Sequence, residues 1–136
     1  MIFIDSPYSG ESMLKEHKNS KVKGSVGVGH AIAYFTRIGK TVAIPLNDSQ
    51  SYDLIVDLDG ALYRVQVKTS TTGSIALRTT GGNQSFNTAK LFNHKSCDLV
   101  YGLLETGDSW LIPTSDFTNT TTITLTDKKY NKYKLQ

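Results

Sequence analysis

An acid at Asp53, an amide at Gln66 and an amine at Lys68 are the residues of this chain that could act together on one point. Tyr52 to Leu58 is β-prone and apolar with acids at Asp53 and Asp57, and Ala61 to Thr69 alternates again. Asp59-Gly60 between them is a strong two-residue turn signal, so the two runs are expected to pair as an antiparallel hairpin. Strand side chains alternate faces, which points Gln66 and Lys68 one way and Val65, Val67 and Thr69 the other. The apolar side anchors the strand and leaves the polar side for chemistry. An ammonium and an amide on one strand face, with a carboxylate opening the neighbouring strand, is the layout of a metal-dependent phosphodiesterase.

Other elements must position these residues. Gly24 to Ile38 reads as a helix: Val28, Ala31, Ile32 and Phe35 fall at helical spacing and Gly39 supplies the stop. Thr41 to Pro45 is a short β-branched strand. Ser74 to Arg78 is another, followed by a polar loop from Thr79 to Ser85. Asp98 to Leu104 and Ser109 to Pro113 flank Glu105-Thr106-Gly107-Asp108 as a second hairpin, and Thr120 to Leu125 adds an edge strand. A helix, then strands, then mixed elements indicates an α/β (α+β) domain with a central mixed β-sheet flanked by helices.

The chain has 136 residues and 38% hydrophobic content, enough for one well-filled core and short for two. The expected organisation is an N-terminal arm over residues 1–22 and a single domain over 23–136 with a basic C-terminal tail. A formal charge of +3 is compatible with a nucleic-acid partner without requiring one. Lys15, Lys18, Lys21 and Lys23 load the approach to the helix, and Lys128 to Lys134 is basic with tyrosines interleaved; either segment alone reads as solvated surface. The lone Cys97 excludes an internal disulfide and fits a reducing compartment, and the absence of a Cys/His cluster argues against structural zinc. Met1 to Asp5 is too short and too soon acidic for a signal peptide, and no run approaches membrane-spanning length. An intracellular, cytoplasmic protein with no membrane partner is expected.

Several spaced motifs then share one resemblance. Lys23-Gly24-Ser25-Val26-Gly27, Tyr52 to Asp57, Arg64 to Thr69, Arg78 to Asn83 and Trp110 to Pro113 together resemble the PD-(D/E)XK nuclease superfamily, in particular its group I intron-associated homing endonucleases. The resemblance covers roughly residues 22 to 117, and Gln66 in place of a second acid is characteristic of that group. It implies a restriction-endonuclease-like core, hydrolysis of duplex DNA phosphodiesters, and a source in a phage, bacterial or organellar mobile element. Asp53, Gln66 and Lys68 are then the catalytic residues. The implied cofactor is Mg²⁺ or Mn²⁺, held by Asp53, the Gln66 carbonyl and the backbone carbonyl of Val67, with Lys68 acting on the attacking water. Lys21, Lys23, Arg78, Asn83 and Lys90 are the candidate contacts to double-stranded DNA; Arg favours guanine edges and Asn adenine. A chain this small cannot cut both strands with one centre, so a homo-oligomer, dimer or tetramer, is expected.

The sequence departs from the group at one position. The family's first helix carries a Glu directly after the glycine that is Gly27 here, and this chain has Val28. Val28 shares a helical face with Ile32 and Phe35, so it joins the core edge and contributes no oxygen, leaving Asp53 the sole carboxylate carried over. Cation affinity should then depend on DNA being present. Glu11, Glu16 or Glu105 could substitute only by folding back. A Holliday-junction resolvase of the same fold is the alternative enzyme, although those typically carry an acid where Gln66 stands. A catalytically silent DNA-binding or regulatory protein is the alternative from another class.

Simpler accounts exist for each motif. Asp53, Asp57, Gln66 and Lys68 could be the ordinary polar face of a sheet, His30 a surface or hydrogen-bonded histidine, and the Gly81-Gly82 loop a plain turn. Gly39-Lys40-Thr41 ends a helix instead of opening one, and Gly27-Val28-Gly29 lacks a preceding strand, so neither supports a nucleotide cofactor.

Overall fold

The structure is a computed structural model that describes residues 13–15, 17–47, 49–77, 79–80, 89–90, 96–117 and 121–136, with the backbone alone at 79–80 and 89–90. Its centre is a five-stranded sheet in the order β1-β2-β3-β7-β8, built from β1 (Thr41–Ala43), β2 (Leu54–Leu58), β3 (Ala61–Ser70), β7 (Leu99–Leu104) and β8 (Ser109–Pro113). β3 and β7 run parallel and every other pair in this sheet is antiparallel. The expected mixed sheet is therefore present. The β2–β3 turn has positive φ at both Asp59 (57°) and Gly60 (92°), the twist that a two-residue hairpin needs, and the Asp57 carboxylate accepts from the Gly60 amide at 2.8 Å.

α1 (Ser20–Arg37) covers one face of the sheet. It begins four residues earlier than hydrophobic spacing predicts, because the Asn19 side chain caps it by accepting from the Lys21 amide at 2.8 Å. Periodicity cannot register a polar first turn held by a cap. Gly27, Ala31 and Phe35 form the buried stripe of the helix, and Ala31 and Phe35 pack on Leu54, Val56, Val65, Val67, Leu99, Tyr101 and Leu103. A β-carbon at Gly27 would stand 2.5 Å from the Thr69 methyl, so the absence of one lets α1 approach β3 closely.

The opposite face carries a second cluster, including Val100, Leu104, Trp110 and Ile112 under Ile75, Leu77, Ile123 and Leu125. All six residues of β7 are buried because both faces are covered. The cover is a small separate sheet of β4 (Ser74–Ala76) and β9 (Thr122–Thr124) together with a 3-10 helix over Lys128–Tyr133. Thus the strand expected near Thr120 to Leu125 joins β4 and not the edge of the main sheet. The basic C-terminal stretch also differs from a solvated tail. Tyr130 is buried against Phe117, Lys134 lies over the Trp110 ring, and the Leu135 amide donates to Ser109 at 2.8 Å. Tyr130 is a core residue, Tyr133 packs half-buried against the same cluster, and the intervening lysines face outward. β5 (Thr79–Thr80) and β6 (Ala89–Lys90) pair antiparallel as a further two-stranded piece.

Candidate active site

β2 stops pairing with β3 at Leu54 opposite Val65, whereas β3 continues to Ser70. Asp53 occupies this step. Its amide donates to the Val65 carbonyl at 2.8 Å, and its Oδ2 accepts from the Val67 amide at 2.8 Å, so a carboxylate takes over where the strand ladder ends. Val65 and Val67 belong to the cluster under α1, which turns Gln66 and Lys68 to the other face, as alternation requires. Asp53 and Gln66 thus line one cleft at the β2–β3 step, and Lys68, on the same strand face as Gln66, lies outside that lining but within reach of the Asp53 charge.

The environment of the trio is partly dry. Gln66 Oε1 is buried and has no hydrogen-bond partner among the described residues. Burial pushes the Lys68 ammonium below the ordinary lysine value, while the charge of Asp53 pulls it back up. Cys97 is buried beside them. Burial pushes its thiol up to about 11, with Arg64, Lys68 and a hydrogen bond from the Gln66 backbone opposing the rise. The thiol is therefore neutral at physiological pH. Nothing in sequence spacing announces this neighbour, because β3 and β7 are joined through a long connection.

Arg64 and Asp98 hold the entry to the two central strands in register. The Asp98 amide donates to the Arg64 carbonyl at 2.9 Å, and the Asp98 carboxylate accepts from the Arg64 amide at 2.8 Å and from its guanidinium at 3.2 Å. The Arg64 hydrogen bonds are the largest influence holding the Asp98 carboxyl below its ordinary value. This pair also escaped sequence reading: its partners lie 34 positions apart with no shared motif.

A cleft of about 570 Å³ opens at the step, lined by Lys21, Gly24, Ser25 and Val28 of α1 with Asp53, Gln66 and Val67. Val28 accordingly does two things: it packs at the edge of the apolar cluster and presents methyl groups to the cleft where the resemblance places a Glu. Lys21 borders this cleft, whereas Lys23 borders a different one. Lys90 is on β6, opposite Thr79. Arg78 and Asn83 lie outside the described residues. His30 lies on the α1 side of the sheet, opposite the face of Gln66 and Lys68, with Nδ1 2.8 Å from the Tyr101 hydroxyl, and burial lowers its pKa. It is the hydrogen-bonded histidine of the simpler account.

Glu105 does not supply a missing acid. Its carboxylate accepts from the amides of Met13, Leu14 and Lys15 at 2.8 to 3.1 Å. Glu11 and Glu16 fall outside the described residues. Among the described residues no group of three His, Cys, Asp or Glu side chains is placed to hold a metal ion. A cation at the step would have one carboxylate, Asp53, and the orphaned amide oxygen of Gln66. Both are hard oxygen donors, so the set fits Mg²⁺ or Mn²⁺ with its remaining positions filled by water and phosphate. None of the described helices is long and apolar enough to cross a membrane.

Comparison with known proteins agrees with this fold. The structure of a bacterial homing endonuclease, I-Ssp6803I, is similar to the present one with a TM-score of 0.71 and 27% sequence identity, over 85% of this chain and 88% of that one. No curated protein matches the chain. A family model described as PD-(D/E)XK endonuclease matches residues 18–135, a span that takes in α1, the β2–β3 step and both central strands. By that match, which covers well over half its length, the chain belongs to the PD-(D/E)XK endonuclease family.

Proposed function

We propose that this protein is a divalent-metal-dependent DNA endonuclease of the homing type, with Asp53, Gln66 and Lys68 as its catalytic residues. The observation that carries the reading is the Asp53 to Val67 hydrogen bond at the β2–β3 step, which sets a carboxylate beside the buried, unpartnered Gln66 oxygen and the partly desolvated Lys68. Asp53, Gln66 Oε1 and the Val67 carbonyl would hold Mg²⁺ or Mn²⁺. When bound, the cation supplies Lewis acidity toward a phosphoryl oxygen and lowers the pKa of water. Lys68 opposes the negative charge that builds on the phosphoryl group during attack, an interaction strengthened by its dry surroundings. Asp53 favours the charged form of Lys68 and so keeps it suited to that task. One such centre cuts one strand, and cutting both calls for a symmetric homo-oligomer, dimer or tetramer.

Val28 favours a second reading, in which the protein binds DNA without cutting it. Its methyl groups face the cleft, so the site has fewer charges with which to retain a cation. One experiment separates the two. Wild type, Lys68→Ala and Val28→Glu are incubated with supercoiled plasmid, linear duplex and a four-way junction in Mg²⁺ or Mn²⁺. Cleavage by wild type that falls by roughly a hundredfold or more in Lys68→Ala supports the nuclease. Cleavage by Val28→Glu alone supports the binding protein, and preference for the junction over every duplex would instead identify a resolvase.

A further inference from the structure

On the other flank of α1 lies a second cleft, of about 320 Å³, that shares no lining residue with the first. Lys21, Gly24, Ser25 and Val28 border the first cleft, whereas Ser20 and Lys23, one helical turn apart, border the second. Its remaining wall is the hydroxyl-rich end of β3 and the turn after it, from Thr69 to Ser74, with Leu14 closing one side. We propose that this cleft binds a backbone phosphate of the DNA, separate from the phosphate to be cut, through Lys23 and the hydroxyls of Ser20, Thr69 and Thr71. The proposal rests on the endonuclease reading and adds a second point at which the strand is gripped.

The chemistry of the lining selects an anion. Among the described residues it is lined by one ammonium and six hydroxyl side chains and by no carboxylate. Ser20, Lys23, Thr69 and Thr71 make no side-chain hydrogen bond or ion pair with the described residues, so their donors are available to a ligand. The first turn of α1 holds no acid that would compete for Lys23. The floor is rigid, because the Ser70 hydroxyl accepts from the Thr72 and Gly73 amides at 3.2 and 3.0 Å and donates to the Ser74 carbonyl at 2.7 Å. The Glu105 amide donates to the Ser70 carbonyl at 3.1 Å, while the Glu105 carboxylate holds the amide of Leu14, so floor and side wall share one anchor. Lysine and hydroxyl donors around a fixed floor are the means by which proteins hold nucleic-acid phosphates without reading sequence. Thr69 follows Lys68 directly but faces α1, so the strand itself holds the cleft at a fixed separation from the residues on its other face.

The test uses the full chain, with metal chelated, bound to a duplex of arbitrary sequence across a salt series, and the same preparations are assayed for cleavage in Mg²⁺. For Lys23→Gln the slope of log affinity against log salt should become shallower by about one, the signature of one lost phosphate contact. Thr71→Val, at a partly exposed turn position, should weaken binding by about threefold to tenfold with the slope unchanged, as expected for loss of a neutral hydrogen bond. Wild-type affinity and slope in both variants, in a protein that does bind and cut DNA, would overturn the cleft while leaving the nuclease standing. A wild type that neither binds nor cuts duplex DNA would overturn both.

Discussion

The Asp53 carboxylate accepts from the Val67 amide at 2.8 Å and, by doing so, joins the residue that precedes β2 to the middle of β3. Its Oδ2 has a structural task, and its negative charge also acts on Lys68. These two roles can be separated by substitution. In Asp53→Asn the amide oxygen can still accept from Val67, so the unfolding midpoint should remain near wild type. The charge is gone, and cleavage should fall by roughly a hundredfold or more. Parallel measurements of thermal unfolding and plasmid cleavage test this. Full activity in Asp53→Asn would remove Asp53 from catalysis.

The spacing of helix and sheet depends on Gly27. An alanine β-carbon there would lie 2.5 Å from the Thr69 methyl and 3.0 Å from a Val67 methyl. Gly normally weakens a helix interior, so Gly27→Ala on an exposed face would be stabilising. Here overpacking wins: the variant should lose about 1–3 kcal/mol. Because Thr69 and Val67 flank Lys68, displacement of α1 should also reduce cleavage more than stability alone explains. Denaturant unfolding and single-turnover cleavage at a temperature where the variant is folded check both parts. A variant as stable as wild type would show that the interface yields without cost.

The β2–β3 hairpin is readable because its signals are local. Asp59-Gly60 specifies the turn, alternation specifies the faces, and Asp53, Gln66 and Lys68 follow from the register between them. The β7–β8 hairpin was readable for the same reason. The parallel pairing of β3 with β7 has no local signature, and with it went the proximity of Cys97 and the Arg64 to Asp98 grip. The C-terminal segment misled in another way: alternating lysines and tyrosines suit a solvated basic stretch, yet Tyr130 is buried because Phe117 and β8 offer it a surface. Long-range apolar partners decide such segments, and composition does not reveal them.

The Arg64 to Asp98 pair gives stability a defined dependence on acidity. The folded Asp98 carboxyl lies below its ordinary value, first because its side chain is hydrogen-bonded to Arg64. Its contribution is therefore complete above the ordinary carboxylate range and is lost as pH falls through the lowered folded value. Both side chains are more than a third exposed, so solvent screening limits the effect to roughly 1 kcal/mol. Wild type should exceed Asp98→Asn by that margin at neutral pH, with the gap closing below about pH 4. Urea unfolding of both proteins across this range is the measurement. A gap that persists in strong acid would assign the stabilisation to the hydrogen-bond geometry and not to charge.

Glu105 closes the far end of the fold by a related device. Its two carboxylate oxygens receive the amides of Met13, Leu14 and Lys15, and the Leu14 side chain is fully buried under this clamp. In Glu105→Ala three backbone donors lose their partner. The cost should be about 2 kcal/mol, with further loss if Leu14 leaves the core. Glu105→Gln retains an acceptor oxygen without the charge and should lose less. Limited proteolysis near residues 13–15 should accelerate in the alanine variant first, before global unfolding, because release of this segment opens the protein locally. If cutting there tracks global unfolding in every variant, the segment is held by the core as a whole and not by Glu105.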